Sequence, residues 1–202
     1  MKKGQSQVVT GVLLLLIMIS LVSVTYFWGI PLIQKQKDVV TVSNMERFLK
    51  NLNDKIQTVA KNGGTQKITG FDIPGELKLD DESDRFELDF KTTGNIIATG
   101  KDIYLIGDER KEGYVGEEPG IILIYSKDID GKYDINASLY YRNLTGSINN
   151  GKQNKYQIDL IGLGRSTISS RNREITISEY KNEMIETPTE RIYVARIYVR
   201  ME

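Results

Sequence analysis

Five consecutive polar residues form the densest group of potential ligands in this sequence, the stretch Asp80 to Asp84, which reads DDESD. Several carboxylate oxygens held close together can bind a hard cation such as calcium. The same stretch lies between two runs of alternating apolar and polar residues, which is the position of a hairpin turn. We therefore interpret it as a solvated turn, with a cation site as the alternative.

Two other short motifs suggest ligand binding only in part. Asp128-Ile129-Asp130-Gly131 matches the start of a calcium loop but lacks the later acidic positions and the final glutamate. Gly162-Leu163-Gly164-Arg165 matches a fragment of a phosphate-binding loop, but neither a helical pattern nor a lysine motif follows it. Both are predicted to be turns between strands, and we expect no metal site and no cofactor.

The 202 residues include no cysteine and no histidine. Disulfides and thiolate chemistry are therefore excluded, and the commonest general base and zinc ligand is missing. An enzyme built from this chain would depend on carboxylate, lysine, tyrosine or serine side chains alone. Because no catalytic triad or phosphate loop stands out, we expect no catalytic residue and predict that the protein is not an enzyme.

Charge is distributed unevenly although the formal net charge is zero. Residues 34–62 contain six basic and three acidic residues and have a net charge of +3, whereas residues 63–202 have a net charge of −5. An acidic region is a poor match for the phosphates of nucleic acid, so no nucleic-acid partner is expected. The basic segment could instead face the acidic region of neighbouring copies.

Two triplets in the C-terminal region, Asn136-Ala137-Ser138 and Asn143-Leu144-Thr145, match the acceptor motif for N-glycosylation. They can be modified if this region lies outside the membrane, although such triplets also arise by chance. Asn143 is the better site because it lies nearer to a turn signal.

Eleven tyrosines are present, and Tyr140, Tyr141, Tyr193 and Tyr198 lie in strand patterns. Aromatic residues are favoured in strands as packing residues, so core or cross-strand packing is the default interpretation. A ligand site of stacked aromatic rings would need several of them on one face together with polar partners.

An apolar run from Val8 to Trp28 dominates the N-terminal region, and no charged residue occurs between Lys3 and Lys35. About 20 consecutive apolar residues suffice for a helix to span a bilayer. The run is about twice as long as the core of an ordinary signal peptide, and no clear cleavage site ends it, so we predict a retained membrane helix. Lys2 and Lys3 favour a cytoplasmic N-terminus, which would make the rest of the chain extracytoplasmic.

Past Gly29 and Pro31 the apolar residues form one stripe at helical spacing, predicting an amphipathic helix over 34–62 that lays this stripe on a sheet. The stripe contains Val39, Val42, Met45, Phe48 or Leu49, Leu52, Ile56 and Val59, and the opposite face contains the lysines, Asn51, Asn53 and Asp54. Asn62-Gly63-Gly64 supplies a helix stop. We predict one rod of about 80 Å over residues 8–62, kinked near 29–33 by Gly29 and Pro31; the alternative is two separate helices.

From residue 63 onward, short alternating runs separated by turn signals predict a β-rich head with about nine strands in an antiparallel sheet or sandwich, and hence an α+β fold. The runs are Lys67 to Phe71, Glu76 to Leu79, Arg85 to Phe90, Asn95 to Thr99, Asp102 to Ile106, Ile121 to Ser126, Ile135 to Tyr141, Tyr156 to Ile161, Glu174 to Ile177 and Arg191 to Arg200. The last run is long and apolar enough to lie centrally in its sheet.

The N-terminal unit resembles the archaeal type IV pilin-like proteins, which carry a class III signal peptide. Lys2-Lys3-Gly4-Gln5 provides the resemblance: a short basic leader that ends in glycine before glutamine, followed at once by the long apolar helix. In that family a prepilin peptidase cleaves after the glycine on the cytoplasmic side. The resemblance implies a leader over 1–4, with Lys3, Gly4 and Gln5 at the processing site, a long helix over 5–62 and a head over 63–202.

The function that this resemblance implies is that of a membrane-anchored subunit of a type IV pilus-like surface assembly. Its partners would be the membrane, other pilin-like subunits through the N-terminal helix, the prepilin peptidase and an unknown surface ligand. The head of about 140 residues fits a minor pilin or a pilin-like component better than a major subunit. The alternative is a single-pass anchored head that binds a surface partner or glycan and does not polymerise.

Overall fold

The computed structural model describes residues 3–169 and 173–202, with side chains in the first helix from Val9 onward. It shows an α+β protein in which one long N-terminal helix packs against two mostly antiparallel β-sheets. Helix α1 spans Lys3–Asn62, which corresponds to about 90 Å at 1.5 Å per residue. Met1 and Lys2 of the predicted leader lie outside the described residues.

Helix α1 is continuous through Gly29 and Pro31, so the alternative of two separate helices is wrong. A single proline removes one backbone hydrogen bond, and the turns on either side retain theirs. The kink at this position stays a prediction. The helix ends at the predicted stop: Gly63 and Gly64 have φ angles of 71° and 86°, and the Gly63 amide donates a hydrogen bond of 2.8 Å to the Val59 carbonyl.

Twelve strands follow in the described residues. They are β1 (Thr65–Thr69), β2 (Glu76–Asp80), β3 (Arg85–Thr92), β4 (Asp102–Ile106), β5 (Glu112–Tyr114), β6 (Gly120–Ile129), β7 (Lys132–Tyr141), β8 (Asn143–Asn149), β9 (Lys152–Gly164), β10 (Thr167–Ser169), β11 (Glu174–Glu186) and β12 (Glu190–Met201).

The strands form two six-stranded sheets within the described part of the chain. The first sheet has the order β1-β11-β12-β9-β8-β5, and the second has the order β10-β2-β3-β7-β6-β4. Strand β12 is central in the first sheet, as predicted. It pairs antiparallel with β11 but parallel with β9, and β5 also pairs parallel with β8. The predicted antiparallel arrangement is therefore confirmed for most of the strand pairs, and these two pairs are parallel.

Two local predictions in the head are wrong. Residues 95–99 form no strand, and Ile97 is instead buried from a loop. Gly162 to Gly164 belong to β9 rather than to a turn, because β9 continues alongside β12 to its end. Asn150 and Gly151, with positive φ angles, form the turn between β8 and β9.

One hydrophobic core joins the helix and both sheets. Met45, Leu49, Leu52, Ile56 and Val59 are fully buried on the helix side. The first sheet contributes residues such as Ile158, Ile177 and Ile197, and the second contributes residues such as Phe86, Leu88 and Leu139. The predicted amphipathic stripe thus packs on the head as expected, except that Val39 is exposed.

Candidate functional site

The N-terminal half of α1 presents an apolar surface that no other described part of the chain covers. Every residue from Val9 to Trp28 is exposed, and Trp28 is the most exposed at 83%. The most apolar 18-residue window has a mean hydropathy of 2.3 and is not buried at all. Helix α1 is therefore long and apolar enough to span a membrane.

Two hydroxyl groups on this surface are satisfied within the helix. Ser20 Oγ donates a hydrogen bond of 2.8 Å to the Leu16 carbonyl, and Thr25 Oγ1 donates one of 2.8 Å to the Leu21 carbonyl. Gly11 and Gly29 have open space where a Cβ atom would lie. The helix can therefore lie in hydrocarbon or receive a closely packed neighbouring helix without leaving these two hydroxyl groups unpaired.

Asp38 ties the helix to the head where the burial of α1 begins. Its carboxylate accepts hydrogen bonds from the Thr93 amide (3.0 Å), the Thr93 hydroxyl (2.8 Å) and the Gly94 amide (2.8 Å), and its side chain is buried. Gln34 Nε2 donates a fourth bond of 3.3 Å. This role could not be predicted from the sequence, because a carboxylate on a charged helix face resembles any solvated one.

Asn53 is also placed differently from the prediction, which put it on the solvent-facing side of the helix. It is 1% exposed, and its amide donates a hydrogen bond of 3.1 Å to Glu118. The Tyr141 hydroxyl donates to Asn53 Oδ1 over 3.2 Å, and burial raises the pKa of Tyr141 well above its ordinary value. A Cβ atom on Gly120 would lie 2.1 Å from Asn53 Oδ1, so this strand end requires glycine.

The carboxylate-rich stretch Asp80 to Asp84 forms the predicted hairpin turn between β2 and β3. Asp80 accepts hydrogen bonds from the Ser83 hydroxyl and from the Glu82 amide. Asp84 points elsewhere and accepts a bond of 2.6 Å from the Leu160 amide. Burial, together with the neighbouring Asp159 and Asp80, raises the pKa of Asp84 to about 6.

The second acidic motif is likewise a turn. Asp130 and Gly131 have φ angles of 53° and 75° and connect β6 to β7, and the Gly131 amide donates a bond of 3.1 Å to Asp128. Left-handed conformations at both central residues are typical of the tight turns that join antiparallel strands. No group of three or more acidic side chains is placed to hold a metal ion in residues 9–169 and 173–202.

A network of ion pairs organises the long connection between β4 and β6, another feature that the sequence did not indicate. The buried Arg142 side chain contacts Asp108 at 3.0 Å and Glu117 at 3.4 Å. Arg110 contacts the same two carboxylates at 2.7 and 3.1 Å. Hydrogen bonds from Arg110 lower the pKa of Asp108 to about 2. Asp108 and Glu117 therefore each pair with two arginines and fix the conformation of this connection.

The two predicted glycosylation sites lie in different environments. Asn136 is in the middle of β7, between β3 and β6, and its amide nitrogen donates a hydrogen bond of 2.7 Å to Asp89. Asn143 is exposed at the first residue of β8. Asn136 is half-buried and bonded to Asp89, whereas Asn143 is accessible.

No protein family, curated protein or solved structure matches this chain. The structure itself defines a general class: a β-rich head attached to a single N-terminal helix that is long and apolar enough to anchor it in a membrane.

Proposed function

We propose that this protein is a membrane-anchored, pilin-like subunit, a minor pilin or related component of a type IV pilus-like surface assembly. The observation that supports it is the division of one 60-residue helix into an exposed apolar half and a half buried in the β-rich head. The leader-like Lys2-Lys3-Gly4-Gln5 immediately before the apolar run adds to this support.

The division of the helix suggests how such a subunit would be stored and assembled. In the bilayer the apolar half is stable because all its backbone hydrogen bonds are made within the helix. In a filament the same surface would pack against equivalent helices of neighbouring subunits, which replaces lipid contacts with protein contacts. The membrane would thus hold subunits ready for assembly, with the head on the extracytoplasmic side.

N-terminal sequencing of the mature protein tests this proposal. The full-length gene is expressed together with an archaeal prepilin peptidase, and we expect the mature chain to begin at Gln5. Gly4→Leu should block the cleavage, whereas Gly11→Leu, a matched substitution inside the helix, should leave it unchanged. An intact Met1 in the wild-type chain, or a cut near residues 23–30, would contradict the proposal.

A second function from another class is a head anchored by one helix that binds a surface ligand and never polymerises. A cavity of about 730 Å³ in the head, lined by residues from β5, β8, β9 and β12, favours ligand binding. Shearing of the cells followed by negative-stain electron microscopy separates the two functions. A filament subunit is released in fibres, whereas an anchored monomer stays with the membrane fraction.

A further inference from the structure

The head attaches to α1 directly after the uncharged part of the helix. Lys35 is the first charged residue after Lys3, and its side chain already reaches the head: a Cβ atom on Gly94 would lie 3.8 Å from Lys35 Cγ. Asp38, which binds Thr93 and Gly94, lies three residues further along the helix, or about 5 Å at 1.5 Å per residue. The base of the head is therefore at the height of Lys35 to Asp38.

The length of the uncharged part matches the thickness of a whole bilayer. It runs from Gly4 to Gln34, and these 31 residues correspond to about 46 Å of helix. The hydrocarbon core of a bilayer is about 30 Å thick, and the bilayer with its headgroup regions is about 40–45 Å thick. With Lys3 at one surface of the membrane, Lys35 reaches the headgroups at the other. The base of the head then lies within a few ångströms of those headgroups.

The hairpin formed by β6 and β7 points toward the same membrane surface. One end of β7 lies beside Asn53 of α1, because the Tyr141 hydroxyl donates a hydrogen bond to it. At the other end of β7, Tyr133 pairs with Thr92, and the residue that follows Thr92 binds Asp38. Asp38 precedes Asn53 by about four helical turns. The turn between β6 and β7 is therefore at the membrane-directed end of the head.

These segments together form a basal surface, which we define as Lys35 to Val40 of α1, Thr93-Gly94 and Lys127 to Lys132 of the hairpin. The basal surface continues the apolar surface of the anchor. Val39 and Val40 are exposed past the end of the uncharged part, and Ile129 on the hairpin is 43% exposed. Apolar side chains at this height can enter the headgroup region.

Free positive charges outnumber the negative ones on the basal surface. Four exposed lysines form no ion pair within the described part of the chain, namely Lys35, Lys37, Lys127 and Lys132. The exposed carboxylates of this surface are Asp128 and Asp130, and Asp38 is buried. The charge is thus complementary to anionic lipid headgroups. A neighbouring copy in the same membrane would present its own basal surface at this height, where the like charges repel each other.

We propose that the basal surface binds the headgroups of anionic lipids, so that the head rests on the membrane. The four lysines pair with lipid phosphates, and Ile129, Val39 and Val40 contact the apolar side of the headgroup region. This binding rests on the membrane anchoring that the proposed function requires, and filament formation is not needed for it.

A single probe tests the contact, since the chain contains no cysteine. Ile129→Cys places a fluorophore on the hairpin, and Ile148→Cys, at an exposed isoleucine of β8 beyond the end of α1, places the same fluorophore far from the membrane. The full-length chain is incorporated at one copy per nanodisc into phosphatidylcholine, with or without phosphatidylglycerol. Lipids with a nitroxide on the headgroup quench fluorophores that touch them. We expect quenching at position 129 in the anionic discs, weaker quenching there in the neutral discs, and none at position 148.

Charge substitutions test the role of the lysines. Lys127→Gln combined with Lys132→Gln should reduce the quenching at position 129 several-fold in anionic discs, without changing the melting temperature of the head. Salt at 1 M should have the same effect, because the screening length falls from about 10 Å at 0.1 M to about 3 Å at 1 M. Lys111→Gln, at an exposed lysine in the connection between β4 and β6, should leave the quenching unchanged.

The absence of quenching at position 129 in the anionic discs would overturn the proposal. So would equal quenching at positions 129 and 148, or quenching that neither the lysine substitutions nor salt reduce. In discs with two copies, excimer emission from pyrene at position 129 would show that a second copy covers the basal surface, which also contradicts lipid binding. A chain that fails to enter the discs contradicts the anchoring of the proposed function, whereas an incorporated chain without quenching contradicts the lipid contact alone.

Discussion

The two halves of α1 are both rich in apolar residues, yet only one of them is buried by its own chain. From Val9 to Trp28 apolar residues surround the whole helix, and all of them are exposed. From Met45 to Val59 they form a single stripe, which is fully buried against both sheets. A stripe can be covered by one sheet, whereas a surface that is apolar all round needs an apolar environment on every side. The first half therefore depends on something outside the protein.

The boundary between the two halves is gradual rather than sharp. Asp38 is fixed to the head by Thr93 and Gly94, yet the next two residues, Val39 and Val40, are 47% and 56% exposed. The uncovered apolar surface thus extends past the first point of attachment. A lipid surface or a neighbouring subunit would reach the edge of the head.

The largest expected difference comes from truncating a leucine in each half of α1. Leu52→Ala should lower the free energy of unfolding of the head by about 2–5 kcal/mol, because it opens a cavity in the core. Leu16→Ala should leave that free energy unchanged, since Leu16 is exposed and does not belong to the core of the head.

Urea unfolding of the full chain in nanodiscs, followed by the near-ultraviolet circular dichroism of the tyrosines, measures this difference. The fluorescence of the single tryptophan is unsuitable because Trp28 lies in the exposed half. Equal destabilisation by the two substitutions would show that the apolar half packs on the head.

An intermediate effect is expected at the boundary. Asp38→Ala removes the acceptor of three hydrogen bonds from Thr93 and Gly94 and should destabilise the head by about 1–3 kcal/mol. Hydrogen exchange should accelerate in residues 34–45 and in the segment after β3, because the attachment is lost there. Asp54→Ala, at an exposed carboxylate on the same helix, is the matched control. Unchanged exchange at residues 34–45 would contradict the role assigned to Asp38.

The smallest effect is a pH dependence that only the head can show, because no acidic or basic residue occurs between Lys3 and Lys35. The pKa of Asp84 is raised from 3.8 to about 6, so its protonated form stabilises the fold below pH 4 and this contribution is lost as the pH rises through 6. Asp84→Asn retains an acceptor for the Leu160 amide and tolerates the φ angle of 49°.

We therefore expect Asp84→Asn to match the wild type at pH 4 and to exceed it at pH 8. The difference is about 1 kcal/mol once solvent screening is allowed for, or about 2–4 °C in melting temperature. Thermal unfolding at the two pH values measures it. Asp80→Asn, within the same turn, is the control. The hydrogen bond from Ser83 lowers the pKa of Asp80, whereas the pKa of Asp84 is raised. A variant that is less stable than the wild type at pH 8 would contradict this assignment.

The sequence by itself determined the elements that depend on local chemistry. The charge-free run from Val8 to Trp28, the stripe from Met45 to Val59 and the stop at Gly63 are set by side chains three or four residues apart or by one backbone angle, so the helix could be predicted. The turns at Asp80 to Asp84 and at Asp130-Gly131 follow from residues that favour tight turns. The alternation in Arg85 to Phe90 likewise predicted β3.

Only the tertiary structure decided what depends on distant partners. The parallel pairing of β12 with β9 was hidden because alternation reports which face is buried but not the direction of the neighbouring strand. Asp38 and Asn53 looked like solvated polar residues until Thr93, Gly94, Glu118 and Tyr141 were placed beside them. The same holds for Tyr114, Tyr156 and Tyr193, which come from separate strands and line one cavity only because the pairing of β5, β8, β9 and β12 brings them together.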